Sequence, residues 1–423
     1  MIRYWPALLV GRIARVFIRL VRKGGGSALP GLILSKLAPG ILYRVLRSFP
    51  KGLVIVTGSA GKSTTTKMLV NIVREHGVSV FTNPSTANIL QGFYSTIIER
   101  ADWKGKISGE VAILEMDEAH AEELTRKIAP LQVTVLNVME DQLDRFVDPA
   151  LVRADLALVA KRATDHVLLN ADDQNTLLIA DELRTVQPNF FGVSAHVLGA
   201  QGKGLQHAPT YLPQIARPNT SSEVSKLDGV RVQLFGSWGE TEFDLPSRGV
   251  HFALDAVAAF ESARSFLGSS FNLELATKAL GEVPPVFARG EMVQVNGEEV
   301  EFILVQNPGS MQLNLDNLVG EPEQLLFAIG RDVHDPSWLW TVDYSNLKHV
   351  DVCTGFNAHE AALVLHYNEV PLGLVTDDLE SATATFFAMP KPKHGHKTVV
   401  FSADAMRRMR RSLGFWSPEE VER

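Results

Sequence analysis

Apolar positions in this chain fall into short unbroken runs, each followed by turn residues and then by a helical pattern. "LVIVT" (53–57), "VSVFTN", "VAILEMDEA", "APLQVTVLNV" and "DHVLLNADD" succeed one another in this rhythm. An apolar run without alternation suits a strand covered on both faces. Such strands, alternating with helices, imply a mostly parallel sheet wrapped by helices. "VRVQLFGSWGETEFDLP" alternates on either side of a glycine turn, the pattern of a hairpin. "VHFALDAVAAFESARSFLG" reads as a helix closing this first unit, whereas residues 195–225 show no period and read as an excursion or mobile loop. Paired prolines in "VPPVFARG" mark a boundary at 283–290. Beyond it the alternation restarts with "VEFILVQNP", "EQLLFAIG", "HVDVCTG" and "TVVFSAD", so a second, smaller α/β domain is expected. The expected division is a basic helical segment at 1–50, a central domain at 51–282 and a second domain at 283–423.

The first segment has its own pattern. In "ALLVGRIARVFIRLVRK", Arg12, Arg15, Arg19 and Arg22 share one helical face, and Leu9, Ile13, Val16, Phe17 and Leu20 the other. Four arginines exclude a membrane span, and they interrupt the apolar core a secretory signal needs. Two arrangements suit the pattern: a basic amphipathic helix on an anionic membrane surface, or a helix packed on the protein with its arginines in water. "GGGSALPG" ends this helix, and a second amphipathic segment follows.

Composition narrows the function classes. The net charge of -7 argues against nucleic acid as the main partner, although no Asp or Glu occurs before Glu75. Cys353 is the single cysteine, so neither a disulfide framework nor a Cys-ligated zinc site can form. A reducing, cytoplasmic setting fits, and Cys353 reads as a packing thiol at a strand end.

The stretch "VIVTGSAGKSTTTKMLV" carries the clearest chemistry. Gly58, Ser59 and Gly61 stand between an apolar strand and a helix, where backbone N–H groups can cradle phosphate. Lys62 is placed to neutralise phosphates, and the Ser63 hydroxyl to bind Mg²⁺, with Thr64 beside it. Glu115, ending an apolar run, is the candidate acidic partner for the metal, with Asp117 and Glu118 better read as the start of a helix. Asn137 stands at a strand end, where sheets of this class gather ligands. Asp141 follows as a further candidate for a catalytic or metal role.

"TGSAGKSTTTKML" resembles the phosphate loop of the Mur ligases, the ATP-dependent amide-forming enzymes of peptidoglycan synthesis. "TNPSTANILQG", "EMDEA", "NVMEDQLDRF", "LNADD" and "SWLWTVDY" narrow the resemblance to the MurT branch. The resemblance implies a central P-loop domain with a mostly parallel sheet, followed by a smaller Rossmann-like α/β domain. It implies ATP and Mg²⁺ as cofactors and a GatD-like glutaminase as partner, while the single cysteine leaves no zinc expected. The implied reaction activates the α-carboxylate of D-isoglutamate in the lipid II stem peptide as an acyl phosphate, for attack by ammonia. It further implies that Arg289 lies near the nucleotide phosphates. An aspartate of the second domain is implied to complete the partner's catalytic triad: Asp335 first, Asp343 second. Asp335 also reads as an N-cap ahead of Pro336. The chain departs from the branch in lacking the four-cysteine ribbon, and in carrying Phe252 and Asp255 where asparagines are expected near the adenine. Two other readings stand beside this one. One is a Mur-type ligase using another amine without a glutaminase, and the other a nucleotide-binding scaffold without catalysis.

Overall fold

The computed structural model describes residues 4–21, 28–83, 89–102, 105–139, 148–284, 289–318 and 322–415, with only the backbone described at 19–21, 28 and 289. The chain forms two mostly parallel sheets in two α/β domains. The first contains β1 (Leu53–Thr57), β2 (Val80–Phe81), β3 (Val111–Glu115), β4 (Gln132–Val135), β5 (His166–Asn170), β6 (Pro188–Val193), β7 (Ser222–Asp228), β8 (Arg231–Gly236) and β9 (Gly239–Asp244). Their order is β2-β3-β1-β4-β5-β6-β7-β8-β9. All neighbours from β2 to β7 are parallel, and β7-β8-β9 is an antiparallel extension.

Burial explains why the early strands are unbroken apolar runs. Val54 and Val56 of β1 face one core, with Met68, Ile72 and Phe260. Leu53 and Ile55 face the other, with Leu34, Ile41, Phe93 and Leu156. The first core lies under α4 (Lys62–Glu75) and the helix Val250–Leu267. The second lies under α1 (Trp5–Val21), α2 (Ala28–Leu37), α3 (Ile41–Leu46), α5 (Leu90–Arg100) and α6 (Glu118–Thr125). Because β1 sits between β3 and β4, the chain leaves it on one side and returns on the other. That reversal opens a crevice at the strands' carboxyl ends.

The second sheet holds β10 (Arg289–Val295), β11 (Glu298–Leu304), β12 (Leu325–Ala328), β13 (Val350–Thr354), β14 (Leu372–Thr376) and β15 (Lys397–Phe401), ordered β10-β11-β15-β12-β13-β14. β10 and β11 form an antiparallel hairpin about Asn296 and Gly297, whose φ of 52° and 80° fit an Asn-Gly turn. Cys353 is buried on β13, where burial pushes its thiol up to about 12, as a packing role requires.

Three expectations need correction. Residues 195–225 are framed by structure, with Ala195–Gly199 helical and β7 beginning at Ser222, and an excursion without helix or strand runs between them. The span between is pinned, with Ile215 exchanging two hydrogen bonds with the Gln174 side chain and Arg217 paired with Asp172 at 2.7 Å. Strands β6, β10 and β14 were not anticipated. Arg12 and Arg15 of α1 are not left to water. Arg12 Nε donates to Ile98 O at 3.3 Å and its Nη2 to Ala101 O, both at the carboxyl end of α5. Arg15 pairs with Glu99. A cation at a helix carboxyl end satisfies carbonyls that the helix leaves without donors. The apolar arc of α1 consequently faces outward.

Candidate active site

The carboxyl ends of β1, β3 and β4 open onto a cleft of about 560 Å³ lined by both domains. Its floor is the turn between β1 and α4. Gly58 and Gly61 have φ of 127° and 84°, in the region that favours glycine. A Cβ on Gly61 would lie 2.1 Å from Asp255 Oδ1, so no other residue fits without displacing Asp255. Asn137 props the turn from below. Its carbonyl accepts from Ser59 N at 3.0 Å, its Oδ1 accepts from Ala60 N at 2.8 Å, and its Nδ2 donates to Ala60 O at 3.2 Å. Ser59 Oγ in turn accepts from Met139 N at 3.1 Å. Asn137 thus holds the loop in shape.

Glu115 ends β3 directly beside β1, in register with Val56. Ser63 Oγ donates to Glu115 Oε1 at 2.9 Å. Asn83 fixes the Glu115 backbone on both sides, accepting from its N–H at 3.0 Å and donating to its carbonyl at 3.1 Å. A hydroxyl and a carboxylate in contact are hard oxygen donors that fit Mg²⁺. No group of three or more His, Cys, Asp or Glu that could hold a metal occurs among the described residues.

Lys62 folds back over the loop. Its Nζ donates to Gly58 O, to Ser59 O at 3.2 Å and to Glu118 Oε1 at 3.4 Å. The two ionised side chains are 12% and 6% exposed. Glu118 therefore acts on Lys62 in addition to opening α6, a pairing that helix-start reasoning did not find. Asp117 lines the cleft as the residue preceding α6.

Besides α6, four helices begin at this cleft. α4 and Val250–Leu267 start from Gly61 and Gly249 with no side-chain cap. From the second domain, Pro308–Asp316 starts at Asn307 with a full capping box. Ala403–Ser412 has its first amides bound by Asp332, which accepts from Ala403 N at 2.8 Å and Asp404 N at 3.0 Å. Unfilled amides and positive dipole ends thus belong mainly to the central domain, on the phosphate-loop side. Arg407, exposed one turn into Ala403–Ser412, lines the cleft from the opposite wall together with His334. Neither was singled out from sequence, although the run "RRMRR" was a visible signal.

The other sequence candidates divide. Thr64 lines the cleft, as do Phe252 and Asp255; Asp255 Oδ1 accepts from the Thr65 hydroxyl at 3.2 Å. Arg289 begins β10, and its side chain is not described. Asp141 lies outside the described residues. Asp335 is exposed beside the cleft, adjacent to His334. It caps the turn Pro336–Thr341 by accepting from Ser337 N at 2.9 Å, which holds its carboxyl below the usual range. Asp343 is bound to Lys203 at 2.9 Å, and this pairing with the Ser345 amide holds its carboxyl down at about 2. Lys203 also reaches Asp316 at 3.1 Å, joining the pinned 200–217 span to the second domain.

Residues 56–263 match the model of the Mur ligase middle domain. The chain is similar to the lipid II isoglutaminyl synthase (glutamine-hydrolyzing) subunit MurT of Staphylococcus aureus, strain COL, at 25% identity over 90% of this chain and 92% of that protein. It is similar to the subunit of the same name from Streptococcus pneumoniae at 28% identity, over 82% of this chain and 81% of that protein. Among solved structures, MurF ligase from Thermotoga maritima in complex with ADP superposes with a TM-score of 0.65 at 18% identity, covering 93% of this chain and 84% of that chain.

Proposed function

With a Mur ligase middle domain at residues 56–263 as the premise, we propose that this ATP-dependent ligase is the carboxylate-activating subunit of an amidotransferase acting on lipid II. The observation that carries the reading is the Ser63–Glu115 contact of 2.9 Å at the mouth of a glycine-shaped phosphate loop, facing a second domain across one cleft. The likeness to MurT subunits over most of the chain supports the acceptor, the α-carboxylate of D-isoglutamate in the stem peptide.

A carboxylate is a poor electrophile. Attack of its oxygen on the γ-phosphorus of ATP forms an acyl phosphate and releases ADP. Ammonia then attacks the carbonyl carbon, phosphate departs, and the nitrogen loses a proton to leave the amide. The chain's residues serve the first step by position and charge. Amides at the unfilled start of α4 and the Lys62 ammonium hold the phosphates. Ser63 and Glu115 would hold Mg²⁺, which supplies positive charge to the phosphate oxygens when bound. Lys62 exchanges Glu118 for phosphate, and Arg407 on the opposite wall is placed to meet an anionic acceptor. Closure of the cleft keeps water from the acyl phosphate.

We assign the ammonia to a GatD-like glutaminase docked on the second domain. Trp340, Phe356 and Tyr367 there are 49%, 58% and 70% exposed; Trp340 lies in the turn that Asp335 caps and meets Tyr367 edge-on at 5.4 Å. Asp335 is offered for the partner's Cys–His pair: it is exposed, ionised and fixed by Ser337. The test is co-purification with the candidate glutaminase, followed by amidation dependent on ATP, glutamine and lipid II. Asp335→Asn is expected to abolish glutamine hydrolysis while ATP binding persists. A purified complex that hydrolyses no glutamine and leaves the stem peptide unamidated overturns the proposal.

A further inference from the structure

Helix α1 presents an unusual surface. Trp5, Val10, Ile13, Val16 and Phe17 are 45%, 45%, 60%, 60% and 66% exposed. At 100° per residue they fall within roughly 140° of one helical arc. The opposite arc is the one that packs: Leu8 is buried, and Gly11 admits Ile98 so closely that a Cβ there would lie 2.9 Å from its Cδ1. Arg12 and Arg15 tie that inner arc to α5. The arginines thus fix the rotation of α1, and the fixed rotation turns the apolar arc outward. α2, packed on α1, adds exposed Leu29, Leu32 and Leu37.

Beside the start of α1 lies an open depression lined by Tyr4, Gly40, Tyr43, Arg44, Arg47 and Lys127. It holds three cations and no carboxylate. The Arg44 guanidinium lies over the Tyr4 ring at 5.9 Å and the Lys127 ammonium over the Tyr43 ring at 5.0 Å. Tyr4 packs against the core one residue before exposed Trp5, so these cations and aromatics sit at the amino end of the helix that carries the apolar arc.

We propose that this face docks on an anionic phospholipid membrane, with the arc of α1 in the acyl boundary and Arg44, Arg47 and Lys127 among the headgroup phosphates. A stable protein interface takes ~800 Å² per partner with a matched shape. A bilayer needs no such area and no shape match. The charge complement supports the same occupant, since no Asp or Glu precedes Glu75. The inference rests on the geometry of α1 and not on the ligase reading, and it deepens that reading by bringing the cleft to a membrane-linked acceptor.

The test uses the full chain, sedimented with vesicles of phosphatidylcholine alone and with vesicles also containing phosphatidylglycerol. Binding is expected to the mixed vesicles and weakly to the neutral ones. Ile13→Glu/Phe17→Glu is expected to lower the partition coefficient by about tenfold or more. Arg44→Gln/Arg47→Gln should lower it by about fivefold per charge removed. Unchanged melting temperature and ATP hydrolysis in solution establish that these surface variants are folded. The proposal is overturned if the wild type binds neither vesicle, or if Ile13→Glu/Phe17→Glu binds as well as the wild type. It is also overturned if light scattering finds a dimer that this variant dissociates, which assigns the face to a second copy.

Discussion

Replacing Lys62 with Met separates its two tasks. In this structure Lys62 is the cation beside Glu118, whose side chain is 6% exposed, at 3.4 Å. Removing one member of a buried pair leaves the other charge without compensation, which typically costs 3–5 kcal/mol. The 3.4 Å separation and the 12% exposure of Lys62 put this pair at the lower end, about 3 kcal/mol. For a domain of this size that lowers the melting temperature by roughly 6–12 °C. Glu118→Gln in the same chain removes the stranded charge. The double variant should therefore recover most of the lost stability while remaining unable to hydrolyse ATP, because Lys62 is still absent from the phosphates. Thermal melting of wild type, both single variants and the double variant, alongside ATPase rates, completes the cycle. If Lys62→Met melts with the wild type, or the double variant melts no higher than Lys62→Met, the Lys62–Glu118 coupling is wrong.

Three further outcomes follow from the same geometry. Gly61→Ala forces a Cβ onto Asp255 Oδ1 at a φ of 84°; it should cost about 2 kcal/mol or more and abolish nucleotide binding by calorimetry. Asn137→Ala removes both side-chain bonds to Ala60; at about 1 kcal/mol per bond it should cost about 2 kcal/mol, lower the melting temperature by roughly 4–8 °C, and weaken ATP binding because the loop loses its prop. Asp343 has its carboxyl depressed to about 2 by Lys203, so its contribution is present above the unfolded value near 4 and is lost as pH falls through the folded one. Since Asp343 is half exposed, that contribution is a fraction of a kcal/mol. Lys203→Met should flatten the acid limb of stability between about pH 4 and pH 2, measured by melting against pH.

The legible parts of this protein are those whose physics is local. Gly58, Gly61, Lys62 and Ser63 declare themselves within six residues, and Glu115 by ending an apolar run. The unbroken runs of β1, β3, β4 and β5 gave the parallel sheet because strands covered on both faces tolerate little else. What escaped depends on partners distant in sequence. The pattern of α1 separates two arcs correctly but does not say which faces inward. Arginine can be satisfied by water or by the carbonyls of Ile98 and Ala101, and only the packing of α5 decides. Arg407 and His334 meet the phosphate loop only because the second domain folds back onto it. β10 and β14 are edge strands: Arg289 and Glu291 break the apolar run of β10, and β14 (LGLVT) is apolar but short and only partly buried.

The gathering of helix starts at the cleft has a consequence for handling the protein. Each helix start carries about half a positive charge, and those from Gly61 and Gly249 have no side-chain cap. With Lys62 they favour small polyanions at the phosphate-loop end of the cleft, against the carboxylates of Glu115, Asp117, Asp255 and Asp332 elsewhere in its lining. Phosphate, sulfate, citrate and pyrophosphate will compete with the nucleotide there, and will raise the melting temperature as they do so. Affinities for ATP measured in phosphate buffer will read weaker than those in Tris or HEPES at equal ionic strength. A sulfate-rich crystallisation liquor will select anion-filled clefts.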